Sequence, residues 1–232
     1  MSTIADNIAQ VSSRIHAAAV AAKRDADSVQ LLAVSKTKPA EALREAYAAG
    51  LRDFGENYLQ EALSKQLELA DLPLIWHFIG PIQSNKTRAI AEHFAWVHSV
   101  DRLKIAQRLS EQRPAELPPL NICIQVNVSG EASKSGCTPA DLPALANAIS
   151  ELPRIKLRGL MAIPEPTEDR AAQDAAFAAV QRLQASLNLP LDTLSMGMSH
   201  DLESAIAQGA TWVRIGTALF GARDYQQMHG QP

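Results

Sequence analysis

The chain has 232 residues, 47% of them hydrophobic and 20% charged, which suits a globular protein with one substantial apolar core. A formal net charge of −3, with Lys and Arg scattered along the chain, excludes the electrostatic footprint of a general nucleic-acid binder. A single domain is expected, because α/β barrels of roughly 200 to 250 residues form one domain.

Polar residues in Met1-Ser-Thr-Ile-Ala-Asp-Asn-Ile8 stand where a signal peptide needs its apolar core, and no run approaches the roughly 18 apolar residues of a membrane span. A cytoplasmic location without a membrane partner is therefore expected. Apolar residues at Ile4, Ile8, Val11, Ile15 and Ala19 keep the spacing of one helix face, which predicts an opening helix from Ile4 to about Arg24, with Ser2 and Thr3 as caps. Val29–Ser35 then reads as a strand, followed by Pro39 and a helix over Ala40–Ala49 that stops at Gly50. The same grammar repeats as strand Leu51–Phe54 and helix Glu56–Ala70, strand Leu74–Ile79 and helix Asn85–His93, and strand Phe94–His98 and helix Arg102–Gln112. Further strands are expected at Leu120–Val128, Lys156–Met161, Leu191–Met196 and Trp212–Ile215, with helices over Asp141–Glu151, Arg170–Leu187 and Asp201–Gln208. Cys123, inside the fifth strand, and Cys137, beside Gly136, lack the spacing of a metal site and are expected to be free thiols.

Eight buried strands alternating with amphipathic helices predict a parallel sheet, most simply closed into a (β/α)8 TIM-type barrel with helices outside and an extra N-terminal helix in front. Residues 1–27 would carry that first helix, 28–222 the barrel and 223–232 a tail. A doubly wound open sheet is the alternative. It lacks support from a G-x-G-x-x-G after the first strand, whereas the residues with chemical potential fall just after strand ends, where barrels build their sites.

Lys36 follows the first strand, and counting by twos puts Leu32, Val34 and Lys36 on one face, so a barrel aims this amine into its mouth. In a partly dehydrated pocket a lysine gives up its proton more easily and can form a Schiff base with an aldehyde; the alternative is a rim lysine paired with a carboxylate. Lys38, directly before Pro39, is the weaker candidate. Ser195-Met-Gly-Met-Ser199 after the seventh strand and Trp212-Val-Arg-Ile-Gly-Thr217 at the end of the eighth each set a Gly beside a hydroxyl. Those two loops are where barrels commonly bind phosphate, although each pair taken singly is also an ordinary turn. Asn57, after the second strand, and His77, on the third, could aim polar groups at a ring, while a lone His is more often structural. Nothing at the strand ends resembles the acidic or His cluster of a metal enzyme.

Six blocks in order now carry a resemblance: Ala33-Val-Ser-Lys-Thr-Lys-Pro39, Phe54-Gly-Glu-Asn-Tyr58, His77-Phe-Ile-Gly-Pro-Ile-Gln-Ser-Asn-Lys86, Arg158-Gly-Leu-Met161, Leu194-Ser-Met-Gly-Met-Ser199 and Val213-Arg-Ile-Gly-Thr217. With them the chain resembles, nearly end to end, the YggS/PROSC family of pyridoxal phosphate (PLP) homeostasis proteins, which share the alanine racemase type of barrel. His200 is the one departure, standing where an acidic or small residue is expected. The resemblance implies that Lys36 is the Schiff-base lysine, that Ser199, Gly216 and Thr217 bind phosphate, and that Arg214 approaches the pyridine nitrogen, with Asn57 and His77 as further cofactor contacts. An arginine there would leave that nitrogen unprotonated and weaken the ring as an electron sink.

The resemblance also implies a protein that holds pyridoxal 5'-phosphate reversibly and supplies PLP-dependent acceptor enzymes within vitamin B6 homeostasis, without catalysis of its own. The alternative is a PLP-dependent amino-acid racemase. A two-base racemase needs a second base on the opposite face of the cofactor, which alanine racemase relatives take from an added domain of a partner subunit. No such domain follows the barrel in this sequence, leaving Tyr58, His77 or Tyr225 for that role, and a monomer is expected. Lys86, and Lys134 in the loop from Gly130 to Gly136, are candidates for a second anion site near the mouth.

Overall fold

Apolar strand formers alternate with amphipathic helices throughout the structure, a computed structural model that describes residues 2–130 and 135–221. The first half runs α1 (Ile4–Ala21), β1 (Gln30–Val34), α2 (Ala40–Ala48), β2 (Asp53–Glu56), α3 (Leu59–Glu68), β3 (Ile75–Phe78), α4 (Thr87–His93), β4 (Trp96–Val100) and α5 (Leu103–Gln112). The second runs β5 (Leu120–Gln125), α6 (Leu142–Ser150), β6 (Ile155–Met161), α7 (Arg170–Ala185), β7 (Thr193–Ser195), α8 (Leu202–Ala207), β8 (Trp212–Ile215) and α9 (Thr217–Phe220). The strands close into a barrel in sequence order, and β1 meets β8 in parallel register from Gln30↔Trp212 to Ala33↔Ile215. The expected (β/α)8 barrel is thus the fold, and the open sheet is not.

Helix α1 forms where its stripe predicts, burying Ile8, Val11, Ile15 and Ala19, and a capping box of Thr3 with Asp6 starts it. It packs on α2, α8 and α9, across the seam where β1 joins β8. The largest departure from the sequence reading is at β2, which runs to Glu56 and displaces the start of α3 from Glu56 to Leu59. Glutamate favours helices, but here its carboxylate is buried against Lys65, and tertiary pairing overrides propensity. Two short elements were not expected: a 3-10 turn over Ser84–Lys86 and α9 itself. The expected tail at 223–232, together with Tyr225 and Lys134, lies outside the described residues.

The core has two compartments. Between strands and helices lies a continuous apolar layer that includes Phe54, Val97, Ile122 and Leu160. Inside the barrel, Trp96, Cys123 and Met161 form a separate small cluster, and both cysteines are free and buried. The period of two explains the division on β2: Phe54 belongs to the outer layer, while a Cβ on Gly55 would sit 3.1 Å from Ile79 Cδ1 and 3.2 Å from Leu32 Cδ2. Among the described residues no helix is long and apolar enough to cross a membrane.

Candidate functional site

The C-terminal ends of the strands surround a cavity of about 210 Å3, and Lys36, Asn57, Ser199, Arg214, Gly216 and Thr217 all line it. Val34 lies there too, as the two-residue period from Lys36 requires. A second hollow of about 320 Å3 adjoins it and shares Asn57, Ile79 and Ile163. Larger clefts lie elsewhere. One of about 790 Å3 on the outer surface takes Lys38 and Tyr58, and one of about 450 Å3 borders Asp53. The mouth cavity is nevertheless the candidate site, because only convergent polar groups give a pocket its chemistry, and this one gathers an amine, a guanidinium, an amide and hydroxyls.

Lys36 is held by its neighbours on both sides. The Ser35 carbonyl accepts from Lys65 Nζ at 2.7 Å, the Ser35 hydroxyl donates to Glu56 Oε1 at 2.6 Å, and the Thr37 N–H donates to Glu61 Oε1 at 2.6 Å. Lys65 Nζ binds both carboxylates, at 2.8 Å from Glu56 Oε1 and 2.5 Å from Glu61 Oε1, and so locks the three residues into one cluster. Thr37 adopts a φ of 62°, a conformation that a β-branched residue takes only when its surroundings impose it. Burial pushes the Glu56 carboxyl above its ordinary value, against the pull of Lys65. The sequence reading missed this cluster. Its signal was the Glu61–Lys65 spacing of four residues on α3, which usually marks a solvated helix pair.

The opposite wall is made by the turns after β7 and β8. Gly197 has a φ of +99°, and a Cβ there would meet Ala205 Cβ at 2.5 Å, so only glycine turns the chain toward the mouth at this point. The Met198 N–H donates to Asp201 Oδ1 at 2.6 Å, and Arg14 from α1 donates to the Ser199 carbonyl at 3.1 Å while also binding Glu203. Gly216 passes close to β1, where a Cβ would lie 3.2 Å from the Val34 carbonyl oxygen, and Thr217 opens α9. The first-turn N–H groups of a helix have no carbonyl partner within it, which favours an anion beside them. His200 also reaches the wall of the cavity.

Arg214 Nη1 donates to Ser195 Oγ at 2.8 Å and its Nη2 to the Ala162 carbonyl at 3.0 Å. Burial brings its pKa down to about 10, so it remains a cation at neutral pH. His77 is not brought to the cavity. It lies in the barrel floor, stacked on Trp96 at 5.5 Å and bonded to Asp53 and His98. Arg158 closes the same end, paired with both oxygens of Asp192 at 2.8 and 2.9 Å and lying 4.7 Å from the Trp96 ring centre. Among the described residues no group of three His, Cys, Asp or Glu could hold a metal.

Whether this cavity suits a polar ligand can be judged from its own atoms. Asn57 Oδ1, on the cavity wall, is buried without a hydrogen-bond partner among the described residues, a costly state that a bound polar group relieves. The arrangement can seat an anion at Ser199, Gly216 and Thr217 and offer an amine to a carbonyl carbon.

A closed barrel that carries a lysine after its first strand and an arginine on its last defines the class. Residues 1–224 match the family described as alanine racemase, N-terminal domain. The chain is 79% identical to the pyridoxal phosphate homeostasis protein of Pseudomonas aeruginosa over 225 residues, covering 97% of this chain and 98% of that one. It is 56% identical to the protein of the same name from Escherichia coli K12, covering 98% of this chain and all of that one. The chain belongs to the pyridoxal phosphate homeostasis protein family. PipY of Synechococcus elongatus, solved with PLP bound, superposes with a TM-score of 0.84 at 44% identity, over 94% of this chain and 100% of that one. Alanine racemase from Corynebacterium glutamicum has a TM-score of 0.67 at 17% identity, over 94% of this chain and 61% of that one, which is a likeness of fold alone.

Proposed function

We propose that the chain binds PLP at the barrel mouth and takes part in PLP homeostasis as a non-catalytic, cytoplasmic, single-domain monomer that holds the cofactor for acceptor enzymes. Lys36 is the attachment point, Ser199, Gly216 and Thr217 receive the phosphate, Asn57 faces the ring, and Arg214 faces the pyridine nitrogen. The observation that carries this reading is that Lys36 just after β1 and Arg214, Gly216 and Thr217 from β8 and beyond line one cavity. PLP-bound PipY and the names of the close relatives support it.

Attachment joins the neutral Lys36 amine to the aldehyde carbon as a Schiff base, with loss of one water. When bound, PLP supplies an aromatic ring that can delocalise negative charge from an attached carbon. Arg214 limits that capacity. With a pKa of about 10 it keeps its own proton and donates a hydrogen bond, so the ring nitrogen is left unprotonated. That arrangement suits retention of the cofactor better than deep carbanion chemistry.

The test is the visible spectrum of purified protein with PLP, for the wild type and Lys36→Ala, before and after borohydride, with amino-acid racemisation assayed on the same samples. The expected result is a Lys36-dependent band that borohydride converts irreversibly, without turnover. Turnover would establish a racemase instead, and absence of the band would overturn attachment at Lys36.

A further inference from the structure

Behind Arg214 a single file of hydrogen bonds crosses the barrel. Arg214 Nη1 meets Ser195 Oγ at 2.8 Å, Ser195 Oγ meets His98 Nδ1 at 2.7 Å, His98 Nε2 meets His77 Nδ1 at 2.9 Å, and His77 Nε2 meets Asp53 Oδ1 at 2.9 Å. The side chains come from β8, β7, β4, β3 and β2, so five strands contribute one member each. Ser195, His98 and His77 are fully buried, whereas the Asp53 side chain is 22% exposed and borders the groove at the opposite end of the barrel.

The two ends decide which way the file points. A guanidinium only donates, so Ser195 Oγ accepts from Arg214. An ionised carboxylate only accepts, so His77 carries its hydrogen on Nε2 and leaves Nδ1 bare. His98 must then donate from Nε2, which bares its Nδ1 to accept the Ser195 hydroxyl hydrogen. Every bond thus donates toward Asp53. Reversal would set a bare His77 nitrogen against a carboxylate oxygen at 2.9 Å and would require a proton on Asp53. Burial lowers the proton affinity of both imidazoles, against the pull of Asp53 at His77 and reinforced at His98 by the nearby His77 and Arg214, which favours the neutral rings that this order needs.

We propose that Asp53 is a remote positioning residue for Arg214: by fixing the tautomers of His77 and His98 it turns the Ser195 hydroxyl so that its oxygen accepts from the guanidinium at the cavity. A file pointing toward Asp53 presents an acceptor to Arg214. A reversed file presents His98 Nδ1–H to Ser195, whose second lone pair still accepts from Arg214 but whose hydroxyl hydrogen loses its acceptor at His98 and is no longer held away from the cation. The last link, from Arg214 to the pyridine nitrogen, rests on the PLP reading above; the order of the file does not.

The measurement is 15N NMR of the imidazole nitrogens in ligand-free protein, paired with PLP affinity, for the wild type, Asp53→Asn and Asp53→Glu. The wild type is expected to show Nε2–H with bare Nδ1 at both His77 and His98. Asp53→Asn keeps the volume but offers an amide that serves either direction, so both tautomers should be populated and the Kd for PLP should rise about tenfold. Asp53→Glu keeps the carboxylate and should restore the wild-type tautomers. Nδ1–H on either ring of the wild type overturns the proposal, as does an Asp53→Asn protein whose tautomers and Kd are unchanged. A wild type that shows the stated tautomers but fails to bind PLP overturns the cofactor reading alone.

Discussion

At His77 and His98, burial sets the sign of a pH effect. Desolvation holds both imidazoles below their ordinary value of 6.5, His98 well below it. Below pH 6.5 the unfolded chain takes up protons that the folded chain refuses, so their contribution to stability is complete above that value and is lost as pH falls. Each ring contributes a slope of up to about 1.4 kcal/mol per pH unit across its window. Urea unfolding at pH 7.5 and 5.5 should therefore show a larger loss for the wild type than for His98→Asn; equal losses would mean that His98 is charged in the fold. Lys36 could be placed from sequence because a strand's period of two fixes which side a residue faces. His77 could not, although its period also points it inward. Its height in the barrel is set by the register Gly55↔His77↔Trp96, which no single strand encodes.

At the level of elements, the cluster of Glu56, Lys65 and Glu61 ties β1, β2 and α3 together around the turn that presents Lys36. Lys65 is 4% exposed and Glu56 fully buried, so removing the lysine strands a buried carboxylate. Lys65→Met should cost about 3–5 kcal/mol in urea unfolding, and adding Glu56→Gln should recover part of that loss. A single variant as stable as the wild type would show the cluster to be incidental. The existence and order of the elements were legible because apolar stripes such as Ile8, Val11, Ile15 and Ala19 persist over several turns. The edges of β2 were not, because Glu56 finds its partner only after α3 has folded back. Helix α9, four residues long, is too short to carry a periodic signal.

For the whole molecule, binding and stability are linked. PLP at a hundred times its Kd should add about 2.7 kcal/mol, raising the melting temperature by roughly 5 to 10 °C for a chain of this size. Lys36→Ala should keep only the non-covalent part of that rise, measured by thermal scans at matched PLP concentrations. An equal rise in the variant would place the attachment elsewhere. The barrel itself was legible because eight strand–helix repeats have few other ways to close, and the pairing of β1 with β8 completes it. That pairing orders events during synthesis. Lys36 leaves the ribosome early, whereas Ser199, Arg214, Gly216 and Thr217 emerge only after seven strands have been made. A nascent chain therefore carries the amine for most of its synthesis without the partners proposed to hold phosphate and ring, and the pocket comes into being only when the ring shuts. Occupancy by the cofactor would then certify a finished molecule.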